Sequence, residues 1–299
     1  MSDRLVFMGT PAAAVPSLRT LAERHTVELV VTRPRRPRVA ASPVELEAIR
    51  LELPLTQPTD VRDLARVMAG IAPIDLAVVV AFGMILPEEV LGMPGHGCLN
   101  LHFSLLPRWR GAAPVERAIL AGDASTGVTV FRMTAGLDTG PILAQKSTVI
   151  GADETAPTLS ERLSHIGAHL LVEVVDSFLA GRLAPRDQPE DGITMAPKIT
   201  PDELRLDITE SRDGFIRRVR AFSPRAWLSL KGNRVLVATA ADAGHPGLAT
   251  GELAIVDRRV LLGLADGAVE LKTVQAAGKQ RMTAVDWANG LRGELGHAK

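Results

Sequence analysis

One cysteine, Cys98, excludes any disulfide framework within the chain and fits a reducing compartment. It lies in an apolar stretch, where a small buried thiol is expected rather than a nucleophile. No apolar run exceeds about a dozen residues, which is too short to cross a bilayer. The opening MSDRLVFMGT has no basic segment followed by an apolar one, so no signal peptide is expected. The G-x-G-x-x-G dinucleotide fingerprint is missing, since only Gly9 stands at the first turn. Metal chemistry also lacks ligands. His165 and His169 lie four apart on an expected helix, but no third ligand accompanies them. These absences leave a soluble cytoplasmic protein with no membrane contact, no metal and, by expectation, a monomeric state.

Hydrophobic content of 46% against 23% charged is globular, and 299 residues are enough for two domains. Net charge is zero but uneven. Residues 1–204 hold 19 Lys and Arg against 24 Asp and Glu, and residues 205–299 hold 15 against 10. A basic C-terminal part points to a polyanionic partner.

Along residues 1–189, strand and helix signals alternate. RLVFM followed by Gly9-Thr10-Pro11 reads as strand, turn and helix, with Thr10 as the N-cap. VELVVT is the second strand, so the sheet begins parallel. The loop at 33–43, RPRRPRVAASP, sets Arg33, Arg35, Arg36 and Arg38 among prolines, a phosphate-gripping arrangement. Residues 74–85, IDLAVVVAFGMI, form a central strand buried on both faces that breaks at Phe82-Gly83. Residues 126–133 and 142–150 read as a hairpin, which makes the sheet mixed. A helix from 155 to 181 follows. Residues 190–205 form a linker. From 206 to 299, one helix with Arg217 and Arg218 precedes short, evenly spaced strands. That pattern predicts an OB-like β-barrel, a common nucleic-acid platform. The fold class is therefore α/β: a Rossmann-like open mixed sheet, then a small barrel domain.

The stretch 98–111, CLNLHFSLLPRWRG, carries the chemistry. Asn100 and His102 are two apart on a strand and so share a face. They stand near its C-terminal end, where open α/β sheets bind ligands. Asp138 follows His102 by 36 residues in a neighbouring exit loop. A carboxylate orients an imidazole, and an amide can hold a developing oxyanion. No serine or cysteine stands between them to act as nucleophile. The set suits direct acyl-type transfer, with the second substrate supplying the nucleophile.

Asn100, His102, Ser104-Leu105-Leu106-Pro107 and Asp138 together resemble the folate-dependent formyltransferases. The resemblance runs nearly the whole chain: GTP at 9–11, AFGMILP at 81–87, APKI at 196–199, RAFSP at 220–224 and AGKQRMTAVDWANG at 277–290. It implies 10-formyltetrahydrofolate as co-substrate and no metal. Phe82, Gly83, Met84, Ile85 and Leu86 would hold the pterin, with Gly136 and Leu137 covering it. Ser104, Leu105, Leu106 and Pro107 would line the folate site. Asn100 would stabilise the formyl oxyanion, and His102 with Asp138 would polarise the carbonyl and move the amine's proton. The C-terminal matches imply initiator methionyl-tRNA as the formyl acceptor. Arg33, Arg35, Arg36, Arg38, Arg217 and Arg218 would then contact the tRNA. The alternative acceptor is a small amine such as an amino sugar, which would not need a basic second domain.

Overall fold

The computed structural model describes residues 3–35, 39–71, 73–291 and 297–298. Two units pack separately. The first comprises residues 1–114, 125–149 and 160–196, and the second 115–124, 150–159 and 197–299.

The first unit is built on β1 (Arg4–Gly9), α1 (Val15–Ala22), β2 (Thr26–Val31), α2 (Pro43–Arg50), β3 (Leu55–Thr56), α3 (Val61–Ile71), β4 (Leu76–Val80), α4 (Glu88–Leu91) and β5 (Cys98–His102). The short β6 (Arg110–Gly111) follows, then α5 (Pro114–Ala121), which after its first residue belongs to the second unit, and then β7 (Ser125–Arg132), β8 (Ile142–Val149), α6 (Ala156–Leu179), whose first four residues also belong to the second unit, and β9 (Met195–Ala196). Seven strands lie in the order β3-β2-β1-β4-β5-β7-β8. Pairing is parallel from β3 to β5 and antiparallel from β5 through β7 to β8. The mixed sheet and the hairpin are as the sequence predicts.

Central β4 is buried along its length, so its β-branched run is sheet core. The expected strand at 74–85 is shorter than predicted. It stops at Val80 because Ala81 (φ 47°) and Gly83 (φ 76°) turn the backbone into the left-handed region. Strand β5 is pinned on one face by α6. A Cβ built on Gly167 would stand 2.7 Å from Leu101 Cδ2, so helix and strand are in close contact. Leu99 and Leu101 are buried. By strand alternation, Asn100 and His102 take the opposite face.

Thr10 does not cap α1. A 3-10 turn at Ala12–Ala14 intervenes, its N-cap is Pro11, and no side chain caps it. The Thr10 hydroxyl is used across the strand exits instead. It donates to the Phe82 carbonyl (3.3 Å) and accepts from the Arg33 N–H (3.3 Å). The exits of β1, β2 and β4 are thereby tied together beside the expected ligand edge.

The second unit carries α7 (Arg212–Phe222), β10 (Trp227–Leu230), β11 (Asn233–Asp242), β12 (Leu253–Val256), β13 (Arg259–Leu264), β14 (Gly267–Ala276), β15 (Met282–Thr283) and α8 (Ala284–Gly290). Its strands run antiparallel in the order β10-β11-β14-β13-β12, with β15 on β14. Isolated bridges from Ala298 to Leu230 and from His297 to Glu252 link the first strand to the approach of β12. Residues 297–298 thus touch both ends of the strand order, one residue at each.

Candidate active site

Asn100 and His102 sit where β5 ends, between β4 and β7. Asn100 pairs in register with Val79 and Phe131, and His102 with Thr129. Among the described residues, nothing bonds the half-buried Asn100 side-chain amide. Toward the described residues its donors are uncommitted.

His102 is buried, and both ring nitrogens are accounted for. Nε2 lies 2.8 Å from the Trp109 carbonyl, and Nδ1 lies 3.7 Å from Asp138 Oδ2. A carbonyl only accepts, so Nε2 carries the hydrogen. In the neutral ring, Nδ1 then presents a lone pair toward the carboxylate. Burial lowers the imidazole's pKa, opposed by the Asp138 charge and the Trp109 carbonyl. Neutral His102 is thus poised to accept a proton at Nδ1, where Asp138 would stabilise the resulting cation.

Asp138 is held from two sides. Its Oδ2 accepts the Gly111 N–H at 2.8 Å. Its backbone carbonyl accepts from Gln188 Nε2 at 2.8 Å, and the same amide reaches the Gly140 carbonyl at 2.8 Å. Gln188 Oε1 in turn accepts from Arg110 Nη2 (2.7 Å) and Nε (3.1 Å). Asp138 itself has φ 51°, in the left-handed region that aspartate adopts more readily than most residues with a Cβ.

The residues expected to hold the pterin fall into two groups. Phe82 and Leu86 are buried in the core beneath the β4 exit. Gly83 is exposed, and a Cβ built there would meet nothing within 4 Å, so a flat group can approach its backbone. Ile85 is 85% exposed and Leu137, next to Asp138, is 57% exposed. Apolar side chains this open at strand exits fit a planar ligand. Met84 is half-buried, and Gly136 is exposed.

In the SLLP turn, Ser104 and Leu106 are buried while Leu105 and Pro107 are partly exposed. The Ser104 hydroxyl donates to the Arg108 carbonyl at 2.5 Å. Thr129 Oγ1 donates to the Ser104 carbonyl (2.7 Å) and accepts the Leu106 N–H (3.1 Å). Leu106 packs on Phe131 and Ile142. These two side chains build the turn, and Leu105 and Pro107 are its accessible part.

The cationic residues differ among themselves. Arg35 Nε bonds both carboxylate oxygens of Glu45, at 2.8 and 2.9 Å. Glu45 also completes the capping box of α2 with Ser42, and Arg35 is the main cause of its lowered pKa. Arg33 is half-buried. Arg36 and Arg38 lie outside the described residues. Arg218 is engaged within the second unit, by Glu210 (2.7 Å) and the Glu203 carbonyl (3.0 Å). Arg217 is half-buried against Gly122, and its buried Nε has no hydrogen-bond partner.

Cys98 and the histidine pair on α6 stand differently. Burial pushes the Cys98 thiol up to about 12, so it is no nucleophile. His165 and His169 are exposed, and no cluster of metal-ligating side chains exists among the described residues.

Several contributors to the site were not visible in the sequence. The Trp109 carbonyl and the Gly111 N–H are backbone groups and carry no residue signal. Gln188 and Thr194 are isolated polar residues in a Pro- and Asp-rich stretch. Gly111 alone left a trace. It has φ 124°, and a Cβ there would stand 2.7 Å from the Ala196 carbonyl oxygen.

An open α/β sheet whose central strand exits carry an amide, an imidazole and a carboxylate suits an enzyme of direct acyl-type transfer. Comparison with known proteins is more specific. The profile of the formyl transferase family matches residues 7–175, and that of the formyl transferase C-terminal domain matches 198–292. The chain belongs to the formyl transferase family. It is 46% identical over 304 residues to the methionyl-tRNA formyltransferase of Halorhodospira halophila, covering 98% of this chain and 97% of that one. It is 43% identical over 302 residues to the methionyl-tRNA formyltransferase of Stenotrophomonas maltophilia, covering 97% and 98%. Among solved structures, an N-formyltransferase from Helicobacter canadensis, bound to folinic acid and dTDP-3-aminofucose, superposes with a TM-score of 0.71. Its identity is 17%, over 92% of this chain and 100% of that one, so this likeness is one of fold. HypX from Aquifex aeolicus in complex with tetrahydrofolic acid gives a TM-score of 0.70 at 18% identity, over 99% of this chain and 49% of that one.

Proposed function

We propose that the chain transfers the formyl group of 10-formyltetrahydrofolate to the amino group of initiator methionyl-tRNA. The observation that carries the chemistry is the placing of His102 Nδ1 3.7 Å from Asp138 Oδ2, beside the free amide of Asn100. The acceptor is carried by relatives bearing that activity in their names at 42–46% identity across nearly the whole chain.

The amine nitrogen attacks the formyl carbon, and the carbonyl oxygen takes up negative charge. The Asn100 amide donates to that oxygen. His102 accepts the amine's proton at Nδ1, and Asp138 offsets the charge it gains. The bond from the formyl carbon to the folate nitrogen then breaks, and that nitrogen receives a proton in return. No covalent enzyme intermediate is needed. Ile85 and Leu137 supply an apolar surface for the planar donor, and the Gly83 backbone lets it come close. Asn100, His102 and Asp138 are the catalytic set. Residues 1–189 are the catalytic domain, 190–205 the linker and 206–299 the tRNA-binding domain. Arg33, Arg35, Arg36 and Arg38 act on the tRNA phosphates, with Arg217 and Arg218 adding to the positive field of the second domain. No described helix is long and apolar enough to cross a membrane. The proposed enzyme is a monomer of the cytoplasm. An amino-sugar acceptor is disfavoured, because the relatives bearing the tRNA activity match both domains.

The test is formyl transfer from 10-formyltetrahydrofolate to charged initiator tRNA, run beside uncharged tRNA, free methionine and an aminosugar nucleotide. Product with charged tRNA alone is expected. Efficient formylation of the sugar nucleotide with none of the tRNA would overturn the assignment.

A further inference from the structure

The left-handed turn at Trp109 needs a cause. Its φ of 63° is unfavourable for a residue with a Cβ. Such a residue persists only where its surroundings over-determine it. Thr194 supplies three hydrogen bonds to this segment. The Thr194 N–H donates to the Pro107 carbonyl (3.4 Å). Its Oγ1 accepts the Trp109 N–H (2.8 Å), and its carbonyl accepts the Arg110 N–H (2.9 Å). Immediately beyond, β9 pairs with β6, with Met195 opposite Arg110 and Ala196 opposite Gly111.

The gripped segment touches both members of the dyad. The Trp109 carbonyl accepts from His102 Nε2, and the Gly111 N–H donates to Asp138 Oδ2. The first bond decides the tautomer. With the hydrogen held at Nε2, Nδ1 is left bare and facing Asp138. We infer that Thr194 is a positioning residue: its grip on residues 107–110 aims the Trp109 carbonyl at His102 and so makes Nδ1 the atom that exchanges the catalytic proton. Of the three bonds, only that at Oγ1 is made by a side chain, so it is the one a substitution can remove. The inference rests on His102 being the proton carrier proposed above.

The test combines the nitrogen NMR spectrum of the histidines with steady-state kinetics. His102→Gln identifies the His102 resonance among the seven histidines. In the parent protein, the hydrogen is expected at Nε2, with Nδ1 unprotonated at neutral pH. In Thr194→Val, the other tautomer becomes populated. The kcat falls roughly tenfold to a hundredfold, the size of effect seen when the outer partners that orient a metal-bound histidine are lost. KM for both substrates holds. The acid limb of the kcat profile moves to lower pH, because His102 loses a bond that favours its charged form. Thr194→Ser keeps Oγ1 and restores all three readouts. Thr194→Ala repeats the loss without the added methyl, should the valine variant melt early. Parent-like tautomer and pH profile in the Val and Ala variants would overturn the inference, whatever their melting temperature. A parent enzyme that fails with methionyl-tRNA while the tautomer responds as described would overturn the acceptor and leave Thr194's role standing.

Discussion

His102 Nδ1 and Asp138 Oδ2 stand 3.7 Å apart, beyond hydrogen-bond reach. In the neutral ring, the lone pair of Nδ1 faces a carboxylate whose Oδ2 already accepts the Gly111 N–H. The pair repels until a proton arrives between the two groups and then attracts. Asp138→Asn keeps the size and an acceptor for Gly111 but removes the charge. A fall in kcat of about 10²–10⁴ is expected, with the melting temperature nearly unchanged. Initial rates and a thermal melt check it.

His102→Ala is expected to abolish transfer while the fold persists, since the sheet is held by its other strands and by α6. Asn100→Ala should lower kcat by roughly 10²–10³, the usual worth of one oxyanion donor. Its free amide means that stability is spared. Near-normal turnover in either variant would mean that the chemistry lies elsewhere.

Acid weakens the fold through two kinds of group. Burial holds the folded-state pKa of His102 below its ordinary 6.5. Between the two values the unfolded chain binds the extra proton, so stability falls as pH drops below about 6.5. Glu47 is held down to about 2 by Arg50 and Arg19, and Glu203 to about 2, chiefly by Arg117. Their contributions are complete above 4.5 and vanish as pH falls toward 2. Urea melts from pH 8 to 3 should show both declines. His102→Gln should flatten the first, and Glu203→Gln should flatten part of the second.

Gly83→Ala tests the folate edge. The left-handed backbone makes alanine cost about 1 kcal/mol, and the methyl enters the open space above Gly83. KM for the formyl donor should rise severalfold, while KM for tRNA stays constant. A variant with the parent KM for the donor would remove the β4 exit from the folate site.

Arg36→Ala and Arg38→Ala should raise KM for tRNA, most clearly at low salt. Each should lower the slope of log KM against log salt by about 0.7–0.9 if the residue neutralises one phosphate. Arg35→Ala differs, because its guanidinium is already paired with Glu45, so α2 should lose stability as well. Slopes identical to the parent would exclude the loop from the tRNA contact.

The alternating strands and helices, the β4 core, the 126–133/142–150 hairpin and the shared face of Asn100 and His102 were legible from residue order. Each follows from apolar periodicity, which depends on side chains and short range. Asp138 was legible because a carboxylate in a strand-exit loop is chemically distinct. The limits of the β4 strand and the role of Thr10 were not, because left-handed turns at Ala81 and Gly83 and hydroxyl bonds across 72 residues are tertiary choices. The distance within the dyad and the tautomer of His102 belong to the same class. They are decided by the Trp109 carbonyl, the Gly111 N–H, and the clamps of Gln188 and Thr194. Every residue but proline carries the same backbone N–H and carbonyl, so no sequence shows which of them the folded chain will aim at an imidazole.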